Sequence, residues 1–280
     1  MGKKGPVKTR LILGAVLVVL AGGFLAASVV QNGAPWGFRD RAAVLVEVVG
    51  TAEIYPSKAR KQKERIEKAS LPGVPGASLY VDDEVRVSAF SVARGKIPGA
   101  EVEFLDGAYV QLSKKSWVLK RGLVHVTVDA GQHLKIGSVV GSVSLAEGAY
   151  RLAADGNANR FFVYVEDGTA AAETAEGQKG TAEKGGLLML TQTGVVKRDA
   201  KKGLSLSARC KKEGADAVSA TRVVTGKADP GTQLFINGKL TYPDDKDTFE
   251  ARLPPGKSIV VFGRSVSGIS KKLDVGCGGR

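Results

Sequence analysis

From Ala77 to about Lys197, apolar and polar residues alternate with a period of two, segment after segment, and no amphipathic helical pattern interrupts them. In Leu123–Asp129 (LVHVTVD), Val124, Val126 and Val128 fall on one face of an extended chain, and His125, Thr127 and Asp129 on the other. EVRVSAF, AEVEFLDGAYVQLSKKSWVLK, HLKIGSVVGSVSL, AYRLAADGNANRFFVYVEDGTAAAE and GGLLMLTQTGVV continue the pattern. Alternating β/α units would require helices between these runs, so an all-β fold is predicted. The 36 glycines, spread along 280 residues, suit many turns between short strands. Asp106–Gly107 lies between two alternating runs. Asp-Gly is a hairpin signal, because a type I′ turn needs positive φ at both central residues, so the pair is read as a hairpin turn.

Ahead of this body, residues 11–30 (LILGAVLVVLAGGFLAASVV) carry no charge. A helix of that length spans roughly 30 Å, the thickness of a bilayer core. A cleaved signal peptide is the rival, with small residues at Ala26, Ala27 and Ser28, but its apolar core usually runs only about 7–15 residues. The expectation is an uncleaved transmembrane helix over 11–30. Lys3, Lys4, Lys8 and Arg10 precede it with no acid among them, which holds residues 1–10 in the cytoplasm and exports the body. The predicted topology is single-pass in a bacterial inner membrane, with a periplasmic body. Gly22 and Ala26, then Gly23 and Ala27, put small residues four apart on one helix face. That spacing lets two helices approach closely. Homo-oligomerisation through this helix stays open beside the plainer reading that glycine and alanine are common in such segments.

The exported part divides by composition. Residues 31–42 read as a juxtamembrane linker, with Trp36 and Phe38 suited to the interfacial level. A first β domain spans 43–197, beginning with AVLVEVVGTAEIY. A basic insertion at 57–70 (SKARKQKERIEKAS) is its one helical-looking segment. Lys58, Arg60, Lys61, Lys63, Arg65 and Lys68 face only Glu64 and Glu67 there, and Ile66 is its sole large apolar residue. Such a run is either a solvated face or a surface for anions, and these six cations are the candidate anionic-surface site. Residues 198–205 return to charge and glycine as a second linker, and 206–280 hold six short strand-like runs, the pattern of a small sandwich.

Charge narrows the partners. Lys and Arg total 41 against 28 Asp and Glu, for a net charge of +13, of which the four leading cations leave +9 on the rest. In an exported body that balance favours an anionic envelope polymer, acidic lipid or an envelope protein, and not nucleic acid. Groups for catalysis are sparse. His125 and His133 are the only histidines, too few for a histidine-rich metal site, and no GxSxG elbow accompanies them. His125 is read as an exposed structural residue. Asp244, Asp245, Asp247 and Glu250 faintly suggest calcium-ligand spacing, but Lys246 interrupts them and the loop glycine is missing, so a solvated turn is the better reading. No GxxxxGK[ST] or GxGxxG phosphate loop is present. No enzyme activity, cofactor or metal is expected. Cys210 and Cys277 are the only cysteines and bracket the last unit, which in an oxidising compartment reads as one disulfide. Two buried thiols are the alternative.

Taken in order, EVEFLDGAYVQLSKKSWVLK, GLVHVTVD, VVGSVSLAEGAYRLAADGNANRFFVYVEDGTAAAE and GGLLMLTQTG resemble the FecR domain. The resemblance covers roughly residues 43–197 and implies an exported, solenoid-like or jelly-roll-like β domain. Its best-known members relay signals across the inner membrane to a sigma factor through a sizeable cytoplasmic region, whose place here is taken by Met1–Arg10. GKADPGTQLFINGKL and TFEARLPPGKSIVVF resemble the Ig-like accessory modules, of the glucodextranase-B-like kind, found beside carbohydrate-active and envelope proteins. Such modules bind or space. The combined expectation is a non-enzymatic, membrane-anchored binding, sensing or assembly module of the cell envelope. The alternatives are a FecR-type signalling regulator working with a separate cytoplasmic partner, or an accessory subunit of a glycan-active enzyme. A reporter active only outside the cytoplasm, fused after Arg198, should give signal; activity only from a cytoplasmic reporter at that point would refute the topology.

Overall fold

Short strands that each bury one face must find a second layer, and this chain finds it by crossing back and forth. A computed structural model describes residues 41–113, 116–155, 159–200, 203–213, 221–255 and 258–277. The expected membrane helix at 11–30, the tip before it and most of the 31–42 linker lie outside the described residues. Among the described residues, no helix is long and apolar enough to cross a membrane. The chain divides into compact units at Arg41 and Ala42, and the second, Ala42–Arg280, holds both β modules.

The first module runs as a ladder of hairpins. β1 (Arg41–Val49) lies in one layer. β2 (Ala52–Tyr55), α1 (Lys58–Glu64), β3 (Leu71–Pro72), β4 (Ser78–Tyr80) and β5 (Glu84–Val87) follow; β2, β3 and β5 pair in the facing layer, while β4 pairs with β1. β6 (Val92–Ile97) and β7 (Ala100–Phe104) return to the first layer, and β8 (Tyr109–Leu112) to the second. β9 (Trp117–Val128) serves both. β10 (Leu134–Ser138) and β11 (Gly141–Leu145) extend the second layer, β12 (Gly148–Asp155) and β13 (Arg160–Asp167) the first. β14 (Thr169–Thr174) with β15 (Lys179–Glu183), then β16 (Gly186–Leu190) with β17 (Val195–Asp199), complete them. The first layer therefore reads β1-β6-β7-β9-β12-β13-β16-β17, and the second β3-β2-β5-β8-β9-β10-β11-β14-β15. Among the described residues, the pairings within these two runs are antiparallel except that of β9 with β10.

The inner faces meet in one core. Leu45, Phe104, Val124, Val126, Tyr150 and Val163 come from the first layer, and Ile54, Val85, Leu112, Trp117, Ile136 and Val143 from the second. The alternation read at Val124, Val126 and Val128 is confirmed: all three are buried, while His125 and Thr127 point outward. The Tyr150 hydroxyl ties two crossings together. It lies 3.0–3.2 Å from the carbonyls of Ala146, Glu147 and Thr169, and accepts the Thr169 N–H at 3.1 Å. Burial raises its phenol above the ordinary range.

Asp106–Gly107 is not a hairpin. β7 and β8 lie in different layers, so these residues form a corner between layers. Ala108 N–H donates to the Leu105 carbonyl at 2.8 Å, closing a β-turn. Only Gly107 has positive φ, at +70°, the pattern of a type II rather than a type I′ turn. Local chemistry calls for a turn there, but the destination of the next strand is set by β9, which offers one end to each layer. The basic insertion is also shorter as a helix than its composition suggests. α1 stops at Glu64, with Arg65 as a left-handed cap at φ +53°. At the other end, β17 extends to Asp199, into the segment read as a linker.

Among the described residues, the second module has seven strands in two sheets. One is ordered β18-β19-β22, from Leu206–Glu213, Thr221–Ala228 and Thr248–Leu253. The other, β21-β20-β23-β24, comes from Lys239–Thr241, Gln233–Ile236, Ile259–Arg264 and Ser270–Val275. QLFINGKL is two strands, not one: Asn237 and Gly238 both have positive φ and turn a hairpin with Ile236 opposite Lys239. Val224, Leu234, Ile236, Phe249 and Val261 fill the core. Cys210 on β18 is joined to Cys277, just after β24, across 67 residues of sequence. The disulfide links the edges of the two sheets, as the spacing implied.

β9 changes layers at Gly122. Residues 117–121 pair with β8, and residues 122–128 with β7 and β12. Gly122 has φ +93°, and a Cβ there would lie 2.5 Å from Ala108 Cα and 2.7 Å from the Gly107 oxygen. Gly122→Ala should therefore destabilise the body by more than about 2 kcal/mol in urea denaturation, and an unchanged curve would show that the bend does not depend on this position.

Candidate functional site

The six basic residues of the insertion do not act alike. Ser57 caps α1 by accepting the Arg60 N–H at 3.2 Å. Arg60 donates to Asp83, whose side chain is fully buried, and its guanidinium lies 4.3 Å from the centre of the Tyr80 ring. Asp83 also accepts the N–H groups of Ser57 at 2.9 Å and Tyr80 at 3.1 Å. Arg60 is thus committed to fastening α1 onto the β4–β5 corner and is corrected from a binding cation to an anchor. A charge run looks uniform in sequence, but Arg60 meets an acid 23 residues away. Lys61 is half-buried, while Lys58, Lys63, Arg65 and Lys68 are exposed. Helix α1 buries none of its residues, so these cations stand out from the edge of the second layer.

Beside this rim, the outer face of the same layer carries a stack that sequence reasoning missed. Arg86 on β5 lies between the rings of Tyr55 and Tyr109, at 4.2 and 4.4 Å from their centres. Glu84 accepts from Lys120 at 2.8 Å and from Tyr109 at 2.6 Å. Partial burial works against the Glu84 charge, but Lys120 and Tyr109 outweigh it and hold the carboxyl below its ordinary range. Burial likewise opposes the Lys120 charge, and Glu84 and Tyr109 overcome it, raising the ammonium. The signal was available: tyrosine and arginine occupy the outward positions of EIY, EVRV and AYV.

On the first layer, the outer face carries a row of paired charges. Glu47, Arg94, Glu103, His125 and Arg151 stand opposite one another in register across β1, β6, β7, β9 and β12. Arg94 reaches Glu47 at 2.7 Å, and Arg151 reaches Glu166 at 2.5 Å. His125 is half-buried rather than exposed, 2.8 Å from Glu166 and 3.4 Å from Glu103.

Farther along that face the second module docks. Leu123, Ala153 and Phe162, which point away from the first core, form a separate cluster with Val266. Ion pairs of Arg160 and of Arg264 flank it. Arg160, 7% exposed, donates to Asp155 at 3.0 Å, Asp247 at 2.6 Å and the Asp244 carbonyl at 3.0 Å. Burial opposes its charge, and both carboxylates override that and raise the guanidinium. Asp106, 5% exposed, accepts from Arg264, while Gln233 Nε2 donates to the Asp106 carbonyl at 2.9 Å. Burial raises the Asp106 carboxyl in spite of Arg264 and the N–H groups of Phe90 and Ser91. The residue expected to make a hairpin thus joins two modules, and a Cβ on Gly107 would lie 2.1 Å from Leu240 Cδ2. Asp244 and Asp247 also gain definite roles. The Asp244 carboxylate accepts from Lys246 N, Thr248 N and Thr248 Oγ1 at 2.6–3.0 Å. No cluster suited to a metal ion occurs among the described residues.

No protein-family model matches this chain, and no curated protein matches it. Two crystal structures of a candidate anti-sigma factor from Parabacteroides distasonis are similar in part, at 14% and 12% identity with TM-scores of 0.36 and 0.37. The match covers 41% of this chain and 59% of theirs. Likeness at that level carries no argument about function.

The clasp at Asp106 can be measured directly. Asp106→Ala should cost about 2–4 kcal/mol, because Arg264 and nearby backbone donors lose their acceptor. Adding Arg264→Ala should cost less than the sum of the single changes; strict additivity would show that the pair does not interact.

Proposed function

We propose that this chain is a non-enzymatic protein of the cell envelope, anchored through residues 11–30, whose β body binds an anionic polymer or lipid surface. The reading rests on one observation above others. Half-buried Arg60, tied to the fully buried Asp83, holds out a rim on which Lys58, Lys63, Arg65 and Lys68 are exposed. The Tyr55–Arg86–Tyr109 stack lies beside it on the same layer, with Glu84 paired to Arg86 and Lys120. Tying one arginine inward makes the rim a built feature rather than a frayed loop. The FecR-like order of strands and the sigma-signalling role of that family's best-known members agree with a sensing or assembly protein, and a docked Ig-like module suits binding or spacing.

Near an anionic membrane each exposed cation contributes about 1 kcal/mol, fading beyond roughly 8 Å at physiological salt. Residues 42–280 form a compact unit with its own cores and serve as the test protein. Lys58, Lys63 and Lys68 changed together to Glu, with Arg60 kept, should leave stability within about 0.5 kcal/mol. The same variant should lose salt-sensitive binding to phosphatidylglycerol vesicles and to purified cell-wall material. Equal binding by the wild type and the variant, or none by the wild type at low salt, would rule out the rim as a docking surface.

A further inference from the structure

The outer face of β18-β19-β22 treats charge differently from the rest of the molecule. On the first layer of the large module, opposite charges stand in adjacent register and pair. Here they pair only at one end, where Arg252 lies 3.8 Å from Glu213 and 3.5 Å from Glu250, while Arg209 and Lys227 meet no carboxylate among the described residues. Arg209, Thr225 and Glu250 form one cross-strand row, and Ser207, Lys227 and Thr248 the next. Two strand spacings separate Arg209 from Glu250, roughly 10 Å, with the Thr225 hydroxyl between them. Arg209 donates to Thr225 Oγ1 at 3.4 Å and meets no carboxylate among the described residues. Glu250 has only a mostly exposed contact with Arg252 at 3.5 Å, which holds it weakly. Lys227 and Asp245 make no ion pair among the described residues.

These side chains line one groove of about 960 Å3, closed on its far side by Asn159 and Tyr242. The groove is pre-formed. Its acidic lip is pinned from within by the Asp244 turn and from outside by the grip of Arg160 on Asp247. Ligand sites gain affinity from such pre-organisation. A polyanion would meet Asp245 and Glu250, a polycation would meet Arg209 and Lys227, and a neutral glycan would leave all four charges without a counterpart.

We propose that this groove binds a short zwitterionic peptide, with its carboxylate toward Arg209 and Lys227 and its ammonium toward Glu250 and Asp245. An extended chain advances about 3.3–3.6 Å per residue, so three residues match the roughly 10 Å between Arg209 and Glu250, with Lys227 on the strand between them. This site is separate from the basic rim of α1.

Calorimetric titration of residues 42–280 with free di-, tri- and tetra-alanine tests it. The expected result is saturable one-to-one binding, best for trialanine and at least tenfold weaker for trialanine acetylated and amidated at its ends. Arg209→Gln and Glu250→Gln should each weaken trialanine at least tenfold without moving the melting temperature, since both residues are exposed. The proposal is overturned if no free peptide binds up to roughly 10 mM, a concentration that corresponds to a very weak interaction. It is equally overturned if the capped peptide or chitotriose binds as well as trialanine, or if the double variant retains binding.

Discussion

The architecture hangs on a single strand that belongs to two layers. β9 pairs with β8 and β10 through its first half and with β7 and β12 through its second. Without that bend the two layers would be separate sheets, each with an apolar face seeking cover. With it, the strand hydrogen bonds run continuously from one layer into the other, and the core closes around the bend. The corner at Asp106–Gly107 lies against Gly122, so the same place that joins the layers also supplies the carboxylate that grips the second module. Fold and assembly are therefore coupled at one point: disturbing the bend shifts the surface on which the second module sits.

Period-two patterning made the β class and much of the core legible. Val124, Val126 and Val128 needed only their spacing. The docking surface was less legible, although its trace was present in Leu123–Val124, Ala153–Ala154 and Phe161–Phe162. Adjacent apolar residues in one strand require cover on both faces, and these doublets mark where the second module lies. The turns show the opposite limit. Asp106–Gly107 and Asn237–Gly238 look alike in composition, yet only the second turns a hairpin. What distinguishes them is where the following strand finds partners, and that is decided by residues distant in sequence.

The basic segment divides in the same way. Its charge and exposure were readable from KARKQKERIEK, but the division of labour was not. Arg60 became structural because the Asp83 carboxylate is fully buried and demands a cation, while its neighbours on α1 have no such claim on them. Buried charges sort a run of like residues into anchors and contacts. Arg160 and Arg264 follow the same logic at the docking surface, each answering a carboxylate that burial would otherwise strand.

The order of the ladder carries a consequence for how the body is made. Within the large module, each strand pairs with one only a few strands earlier, so a chain delivered N-terminus first can bury every hairpin against the last as it emerges. β4 lies against β1 almost at once, closing that edge before the rest arrives. The contacts with the second module are the exception, among them that between Asp106 and Arg264, separated by 158 residues. Until β23 is delivered, Asp106 waits without its arginine, and the surface around Phe162 waits without cover. The growing body is a series of finished steps with one seal left open, and that seal shuts only once β23 has followed.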